Sequence, residues 1–216
     1  MKKIEIPTYS LGEELINSIS HGVGAILGIV ALVLTIIYSS IHNNTLGVVA
    51  SCIYGISMII MYTISCIYHA LSPKLKAKKV FRVLDHCDIY VFIAGCYTPY
   101  CISLIGGQTG WILFTVIWLA AIIGVLLNAI NLEKFKIPSL IMYLVMGWMI
   151  IFSFNALNNS IERNGLYLLV SGGIAYTIGA VLYMLGSKKK YFHSIFHFFV
   201  LLGSILQFLS ILLYTL

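Results

Sequence analysis

Five long stretches without a single Asp, Glu, Lys or Arg side chain make up most of this sequence. They cover residues 15–73, 89–132, 137–161, 164–187 and 191–216. Only 9% of the residues are charged and 60% are hydrophobic, whereas a soluble domain carries about 25% charged residues. Such a chain could not cover a water-facing surface, and we therefore expect an integral membrane protein.

The length of each stretch sets how often it can cross a bilayer. A membrane-spanning helix needs about 20 consecutive apolar residues, so each of the last three stretches holds one helix. The first two are about twice that length, and each is interrupted by a turn-forming composition, at residues 39–45 and 106–110. The sequence therefore predicts an all-α, polytopic fold with seven transmembrane helices.

The expected spans follow from these limits. A segment of residues 1–19 precedes a membrane domain of residues 20–216, whose spans lie near 20–41, 46–71, 84–105, 110–131, 137–157, 164–186 and 191–215. Pro99 lies inside the third span, where a proline is expected to kink the helix. Pro138 is well placed to begin the fifth helix, because a proline at the first helical position lacks only an N–H that would be unpaired anyway.

The basic residues predict the orientation of the chain. All of them except Arg163 lie on one side of the predicted membrane, near the N-terminus and in loops that begin near Lys74, Lys134 and Lys188. Lys- and Arg-rich loops remain in the cytoplasm. We therefore expect residues 1–19 in the cytoplasm, the C-terminus outside, and a multi-pass protein of the cell membrane. This bias also explains the net charge of +6 without a nucleic-acid partner.

Ionisable residues gather at the cytoplasmic ends of the predicted spans. They are five of the six histidines and two carboxylates, namely His21, His69, His86, His193, His197, Asp85 and Asp88. Ionisable side chains at the edge of a membrane are costly, and they usually pair with one another or serve a function. This end of the molecule is therefore the expected functional site.

A histidine pair on the last span suggests a metal site. His193 and His197 are four residues apart, so both imidazoles project from one helical face. A third neutral imidazole from His69 would complete a three-histidine zinc site whose fourth position is left to water, the arrangement of catalytic zinc. Residues 193–197 lack the glutamate of the HExxH protease motif, so Asp85 is the best candidate for the base. The alternative is that these histidines only meet lipid headgroups.

Several motifs resemble those of the progestin and adipoQ receptor superfamily. Residues 65–69 resemble its S-x-x-[FY]-H motif, and residues 84–90 followed by 94–99 resemble its helix 3 signature. Residues 193–197 resemble its H-x-x-x-H motif at helix 7, and residues 13–22 are similar to the opening of the bacterial branch, the hemolysin III family. The resemblance covers nearly the whole chain in the expected order.

The resemblance implies a seven-helix protein of the bacterial cytoplasmic membrane with a zinc ion near its cytoplasmic face. It assigns the zinc ligands to His69, His193 and His197. It implies that Asp85 holds the water at the open position and that Ser65 hydrogen-bonds within the site. It also implies kinship with membrane ceramidases, which hydrolyse lipid amides. The hemolysin name carries an attributed pore-forming activity that no residue pattern here supports independently.

Three further residues allow two interpretations each. Asn17 and His21 share a helical face and belong to the N-terminal motif, so they could support the metal ligands from behind or cap an interfacial helix end. Asp88 lies one turn from Asp85, where it could hold a site residue in place or interact with the dipole of the helix N-terminus.

Three functions remain open from the sequence. The first is a zinc-dependent hydrolase that acts on a lipid amide or ester, with membrane lipids as its partners and no soluble partner. The second is a pore-forming hemolysin, although the spans carry few polar residues that could line a lumen. The third is a transporter or a non-enzymatic regulator with a structural zinc. A transporter should place ionisable groups near the middle of the membrane, and these lie at its edge.

The predicted orientation can be tested by a reporter fused after Leu216. We expect a periplasmic reporter such as alkaline phosphatase to be active there, because an odd number of spans separates the two termini. The same reporter fused after Lys136, in a lysine-rich loop, is the control and should be inactive. An inactive reporter after Leu216 would contradict the predicted number of spans.

Overall fold

A computed structural model describes residues 4–186 and 189–216, so Lys2, Lys3 and Lys188 of the charge pattern lie outside the described residues. The described chain is helical and contains no strand. Its elements are α1 (Leu11–Ile41), α2 (Thr45–Ala70), α3 (Lys76–Thr98) with a π-helical continuation (Pro99–Ile105), α4 (Gly107–Trp148), a 3₁₀ turn (Met149–Ser153), α5 (Phe154–Ser160), α6 (Arg163–Gly186) and α7 (Phe192–Tyr214).

Six helical segments within the described residues are long and apolar enough to cross a membrane. They are α1, α2, α3 with its π-helical continuation, the joined unit from Gly107 to Ser160, α6 and α7. The predicted all-α, polytopic character of the chain is therefore confirmed.

Two helices begin well before their predicted spans. Helix α1 begins at Leu11 because Ser10 and Glu13 form a capping box: the Ser10 backbone N–H donates to the Glu13 carboxylate at 2.9 Å, and the Glu13 N–H donates to the Ser10 hydroxyl at 3.4 Å. Helix α3 begins at Lys76, among the lysines that delimited the predicted span at residue 84. A helix can extend beyond its apolar stretch. Charged residues therefore predict the edge of the membrane better than they predict where a helix begins.

The prolines act differently from expectation. Helix α3 continues through Pro99 as a π-helix that ends at Gly106, where φ is +59°. A wider π turn accommodates the missing proline N–H. At Pro99 the helix therefore changes from α to π, where a kink was expected. The prediction that Pro138 begins a helix is wrong. The backbone of α4 instead breaks at Asn131 (φ −161°, ψ 84°), whose side-chain oxygen accepts the Lys134 N–H at 3.2 Å.

The break at Asn131 divides α4 into two arms that are joined by polar contacts. Asn128 is fully buried on the first arm. Its amide oxygen accepts a hydrogen bond from the hydroxyl of Ser139, on the second arm, at 2.6 Å. Its amide nitrogen donates to the Tyr143 hydroxyl and to the backbone oxygen of His86, both at 3.1 Å. The corner of α4 is thereby fixed to the first turns of α3.

Contacts between chain segments define two ends of the bundle. At one end, the Arg82 guanidinium pairs with the Glu133 carboxylate at 2.9 Å, and the Tyr191 N–H donates to the Glu13 carboxylate at 2.7 Å. This end therefore gathers the first turns of α1, α3 and α7 and the corner of α4. The metal-ligand candidates lie at the same end.

The opposite end is closed by other polar contacts. The Asn44 side chain donates to the Ser103 hydroxyl at 2.8 Å and to the backbone oxygen of Leu216 at 3.2 Å. The Ser210 hydroxyl donates to the backbone oxygen of Gly165 at 2.8 Å. The C-terminus of α7 is thus tied to the loop before α2 and to the start of α6.

Helix α1 has small and polar residues inside and aliphatic residues outside. Its buried residues are Glu13, Asn17, Ser20, His21, Gly24, Gly28, Ala31, Thr35 and Ser39, whereas leucines, isoleucines and valines cover its exposed face. Small residues allow helices to approach closely inside a membrane, where lipid already solvates apolar side chains. The distribution fits a helix whose outer face meets lipid.

Close helix contacts at glycine give a test of this packing. A Cβ at Gly124 would overlap the ring of Tyr90, which is fully buried, whereas a Cβ at Gly147 would meet nothing within 4 Å. We expect Gly124→Ala to lower the free energy of unfolding by about 1–3 kcal/mol through overpacking. The matched Gly147→Ala should be neutral or stabilising, since alanine favours helix. Thermal unfolding in detergent measures both, and equal melting temperatures would contradict the α3–α4 contact.

Candidate metal centre

Three buried histidines bring their Nε2 atoms together at the end of the bundle. His193 Nε2 lies 3.4 Å from His69 Nε2 and 3.1 Å from His197 Nε2, and one nitrogen of each of the three lies within 4.8 Å of the others. A tetrahedral ion with metal–nitrogen bonds of about 2.0–2.1 Å separates its ligand nitrogens by about 3.3–3.4 Å. The geometry therefore fits a single metal ion.

The orientation of His69 is set by Glu14 on α1. The His69 Nδ1 atom lies 2.6 Å from the Glu14 carboxylate, which can only accept a hydrogen bond when ionised. The proton of His69 must then be on Nδ1, which leaves Nε2 free to bind a metal ion. Such a carboxylate behind a histidine ligand fixes the tautomer and increases the basicity of the ligand.

A buried lysine balances the charge of Glu14. Lys78 is fully buried, and its ammonium donates to the second Glu14 oxygen at 2.6 Å and to the backbone oxygen of Leu71 at 2.8 Å. Sequence reasoning missed Glu14 and treated Lys78 only as a topology signal. Glu14 precedes Asn17 by three residues and His21 by seven, and this spacing on one helical face was the available signal.

The N-terminal segment covers His193. The Tyr9 ring is stacked on the His193 imidazole, with centroids 4.8 Å apart and an interplanar angle of 16°. Burial, with a further contribution from the Tyr68 hydroxyl, raises the pKa of Tyr9. The phenol therefore remains a neutral hydrogen-bond donor, and residues before α1 contribute to the wall of the site.

Two of the three histidines, His193 and His197, border a cavity with a volume of about 190 Å³. It extends along α7 from His193 to Gln207, a distance of about 21 Å at 1.5 Å per residue. Apolar and aromatic side chains of α3, α4 and α6 form most of its wall, including Phe92, Leu144 and Trp148. The cavity is therefore long, narrow and mostly apolar.

The structure brings most of the remaining sequence candidates to this cavity. Asp85, Ser65 and His21 line it together with His193 and His197. Ser65 lies one turn before His69 on α2, and Asp85 faces the cavity from α3.

Asn17 lies beside a candidate ligand, whereas no hydrogen bond joins Asp88 to one. The Asn17 amide nitrogen lies 3.5 Å from His69 Nδ1, beside the Glu14 contact. Asp88 is buried, and neither of its oxygens has a hydrogen-bond partner among the described residues. Because Asp88 is not part of the cavity wall, a direct role near the ligands is better supported for Asn17 than for Asp88.

His86 holds two helices together beside the cavity. Its Nδ1 atom contacts the backbone oxygen of Arg82 at 2.9 Å, and its Nε2 atom lies 3.2 Å from the Tyr183 hydroxyl on α6. Both ring nitrogens are therefore used in contacts with protein groups, and His86 serves to position α3 against α6.

The fold and this centre together define a class of protein. It is a multi-pass integral membrane protein in which three buried histidines could hold a metal ion, and two of the three line a cavity.

Comparison with known proteins specifies the family. The model of the family described as Haemolysin-III related matches residues 9–208, and the chain belongs to that family. The protein named Hemolysin-3 of Bacillus cereus is 39% identical over 215 residues, which are 100% of this chain and 97% of that protein. The Hemolysin-3 homolog of Bacillus subtilis (strain 168) is 36% identical over 95% of this chain and 96% of that protein.

A more distant similarity reaches a mammalian protein. The human Monocyte to macrophage differentiation factor is 27% identical over 92% of this chain and 83% of that protein. The family that the sequence motifs resembled is thereby confirmed.

The hydrogen bond between Glu14 and His69 predicts an effect on metal affinity. Glu14→Gln should weaken zinc binding about 10–100-fold, as loss of a carboxylate behind a histidine ligand typically does. Glu5→Gln is the matched control, because it removes the same charge at an exposed site in the same part of the chain. Competition with a chromogenic zinc chelator in detergent measures both affinities. Equal affinities for the two variants would contradict the role of Glu14.

Proposed function

We propose that the protein is a zinc-dependent hydrolase of lipid amide or ester bonds. The observation that supports this most directly is the meeting of three buried histidine nitrogens beside a mostly apolar cavity that His193, His197 and Asp85 line. A metal site of structural type would be closed by a fourth protein ligand, whereas three protein ligands leave a position for the reaction.

The proposal includes seven membrane crossings with the histidine centre on the cytoplasmic side. The unit from Gly107 to Ser160 has 54 residues and would be about 81 Å long as a straight helix, against a hydrocarbon core of about 30 Å. Its break at Asn131, with Glu133 paired to Arg82 at the end that gathers the lysine-rich loops, supports two crossings. The N-terminus would then be cytoplasmic and the C-terminus outside.

Zinc is the metal that this donor set favours. Three neutral imidazoles without a thiolate suit zinc, which accepts nitrogen ligands in tetrahedral geometry. When bound, zinc polarises a carbonyl and lowers the pKa of water, so that hydrolysis can proceed near neutral pH. Glu14 and Lys78 form a neutral pair behind His69, so the protein adds little charge of its own to the ion.

The cavity favours an acyl chain as the substrate portion that is held. Its wall is mostly apolar over about 21 Å, measured from His193 to Gln207. A lipid chain in this space would place its first carbonyl group beside the histidines, at the end of the cavity next to His193. The polar groups Asp85, Arg82 and Lys136 line the same end, where they would meet the headgroup side of the bond.

Asp85 would move the protons of the reaction. Its carboxylate accepts a proton from the attacking water as the water oxygen forms a bond with the acyl carbon. The bond from the acyl carbon to the amide nitrogen or ester oxygen then breaks, and Asp85 returns the proton to that leaving atom. The products are a fatty acid and an amine or alcohol, and no other reactant is needed.

Two other functions are outcomes of the test. A non-enzymatic regulator with a structural zinc would use the same histidines without Asp85. A cytolytic pore, which the names of the Bacillus relatives suggest for those proteins, requires a water-filled lumen. The narrow and mostly apolar cavity gives no support for such a lumen within the described residues.

Parallel variants distinguish a catalytic from a structural metal. Asp85→Asn should retain the zinc stoichiometry and lose about 10²–10⁴-fold in rate, the usual cost of losing a general acid–base group. His193→Ala should lose both zinc and activity. Asp88→Asn, the same change one turn away and outside the cavity wall, is the control and should be nearly silent. Metal analysis, thermal unfolding and release of fatty acid from a lipid extract measure the three variants.

The opposite pattern would favour a structural zinc. A silent Asp85→Asn beside a destabilised His193→Ala would show that the ion joins α2 to α7 without taking part in a reaction. If neither the wild-type protein nor any variant released fatty acid, the proposed hydrolase function would be contradicted.

A further inference from the structure

His21 has no hydrogen-bond partner although it is almost completely buried. Only 3% of the residue is exposed, and neither Nδ1 nor Nε2 has a partner among the described residues. A buried polar group without a partner is unfavourable, because it has lost its hydrogen bonds to water. Because the ring lines the cavity, a molecule inside the cavity can supply the missing partner.

The His21 ring is held firmly even though its nitrogens are free. It lies against the His197 imidazole with centroids 3.8 Å apart, and it meets the Tyr62 ring edge-on at 4.9 Å. The Tyr62 hydroxyl is directed elsewhere, to the Ser204 hydroxyl at 2.7 Å. Ring contacts fix the position of His21, so its nitrogens can act without rearrangement.

His21 is not a fourth metal ligand in this arrangement. The group of nitrogens within 4.8 Å of one another contains His69, His193 and His197, and His21 is not a member. The ring is also not a support for the ligands in the manner of Glu14, since no hydrogen bond joins it to a ligand. The remaining role for His21 is a contact with a molecule that is bound in the cavity.

The location of His21 complements that of Asp85. His21 enters the cavity from α1, and Asp85 enters it from α3. Tyr62, which contacts His21, lies about two turns of α2 before His69, towards the interior of the bundle. His21 therefore faces the part of the cavity that receives the acyl chain, while Asp85 lies at the polar end.

We propose that His21 is a further catalytic residue, whose imidazole N–H donates a hydrogen bond to the carbonyl oxygen of the bound acyl group. This inference rests on the proposed hydrolase function. As the water oxygen attacks the acyl carbon, negative charge develops on the carbonyl oxygen, and the hydrogen bond strengthens. His21 donates without transferring its proton, so Asp85 still carries all the proton transfers.

Substitutions separate the N–H group of His21 from its packing. His21→Phe keeps an aromatic ring against His197 and Tyr62 but removes the donor, and His21→Leu removes the donor with less bulk. His21→Gln keeps an N–H donor. Loss of one donor to a developing oxyanion typically lowers kcat about 10²–10³-fold. We expect this loss in the Phe and Leu variants, with unchanged zinc stoichiometry, and partial recovery in the Gln variant.

A binding measurement tests His21 without any turnover. The probe is a long-chain primary fatty amide, whose carbonyl oxygen accepts a hydrogen bond, titrated into metal-free protein in lipid nanodiscs. Removing one neutral hydrogen bond should weaken its binding about fivefold in the Phe and Leu variants. The Gln variant and Glu5→Gln, an exposed site outside the cavity wall, should bind it with the affinity of the wild-type protein. Failure of hydrolysis with this binding pattern would reject the proposed function alone.

Three results would overturn the inference. Loss of zinc in both the Phe and Leu variants would make His21 part of the metal site. Equal amide affinity of the Phe, Leu and wild-type proteins would remove its contact with the acyl group. A melting temperature lowered in both variants and preserved in the Gln variant, with unchanged amide affinity, would assign it a structural role.

Discussion

The hydrogen bond between Glu14 and His69 is the interaction on which this end of the bundle depends. Polar groups inside a membrane domain must be satisfied within the protein, and this pair satisfies a histidine, a carboxylate and, through Lys78, a buried ammonium at once. It joins the first turn of α1 to the last turn of α2 and fixes which nitrogen of His69 faces the other histidines. The neighbouring Glu13 accepts the N–H of Tyr191 and so holds the start of α7 against the same turn.

The sequence could predict the elements that depend on composition and spacing. Charge-free stretches predicted apolar helices long enough to cross a membrane, and the four-residue spacing of His193 and His197 put both on one face. His69 was predicted as the third ligand because the last turn of α2 was expected at the same depth in the membrane. These predictions use only periodicity and the cost of charge near lipid, which act locally along the chain.

Features that arise from contacts between distant segments could not be predicted in this way. The Glu14–His69 contact joins residues 55 positions apart, and no local pattern pairs them. The corner of α4 was expected between residues 131 and 137, with Pro138 beginning the next helix. The break does fall at Asn131, but Pro138 has no part in it, because Asn128 ties both arms to the backbone of α3. The early starts of α1 and α3 depend on capping and on loop contacts that hydropathy does not register.

The cavity has a polar end and a long apolar wall, the two environments that the proposed hydrolase would need for water and for an acyl chain. The Tyr9 ring covers His193 from the side of the N-terminal segment, and Asp85, Arg82 and Lys136 form a polar end beside it. Water can be held there, whereas the long wall towards Gln207 suits an acyl chain. The histidine centre lies where these regions meet, so in the proposed hydrolase a bound carbonyl carbon and a water molecule would approach each other beside the histidines. A purely structural metal site would not require a polar region and an apolar region to meet at its ligands.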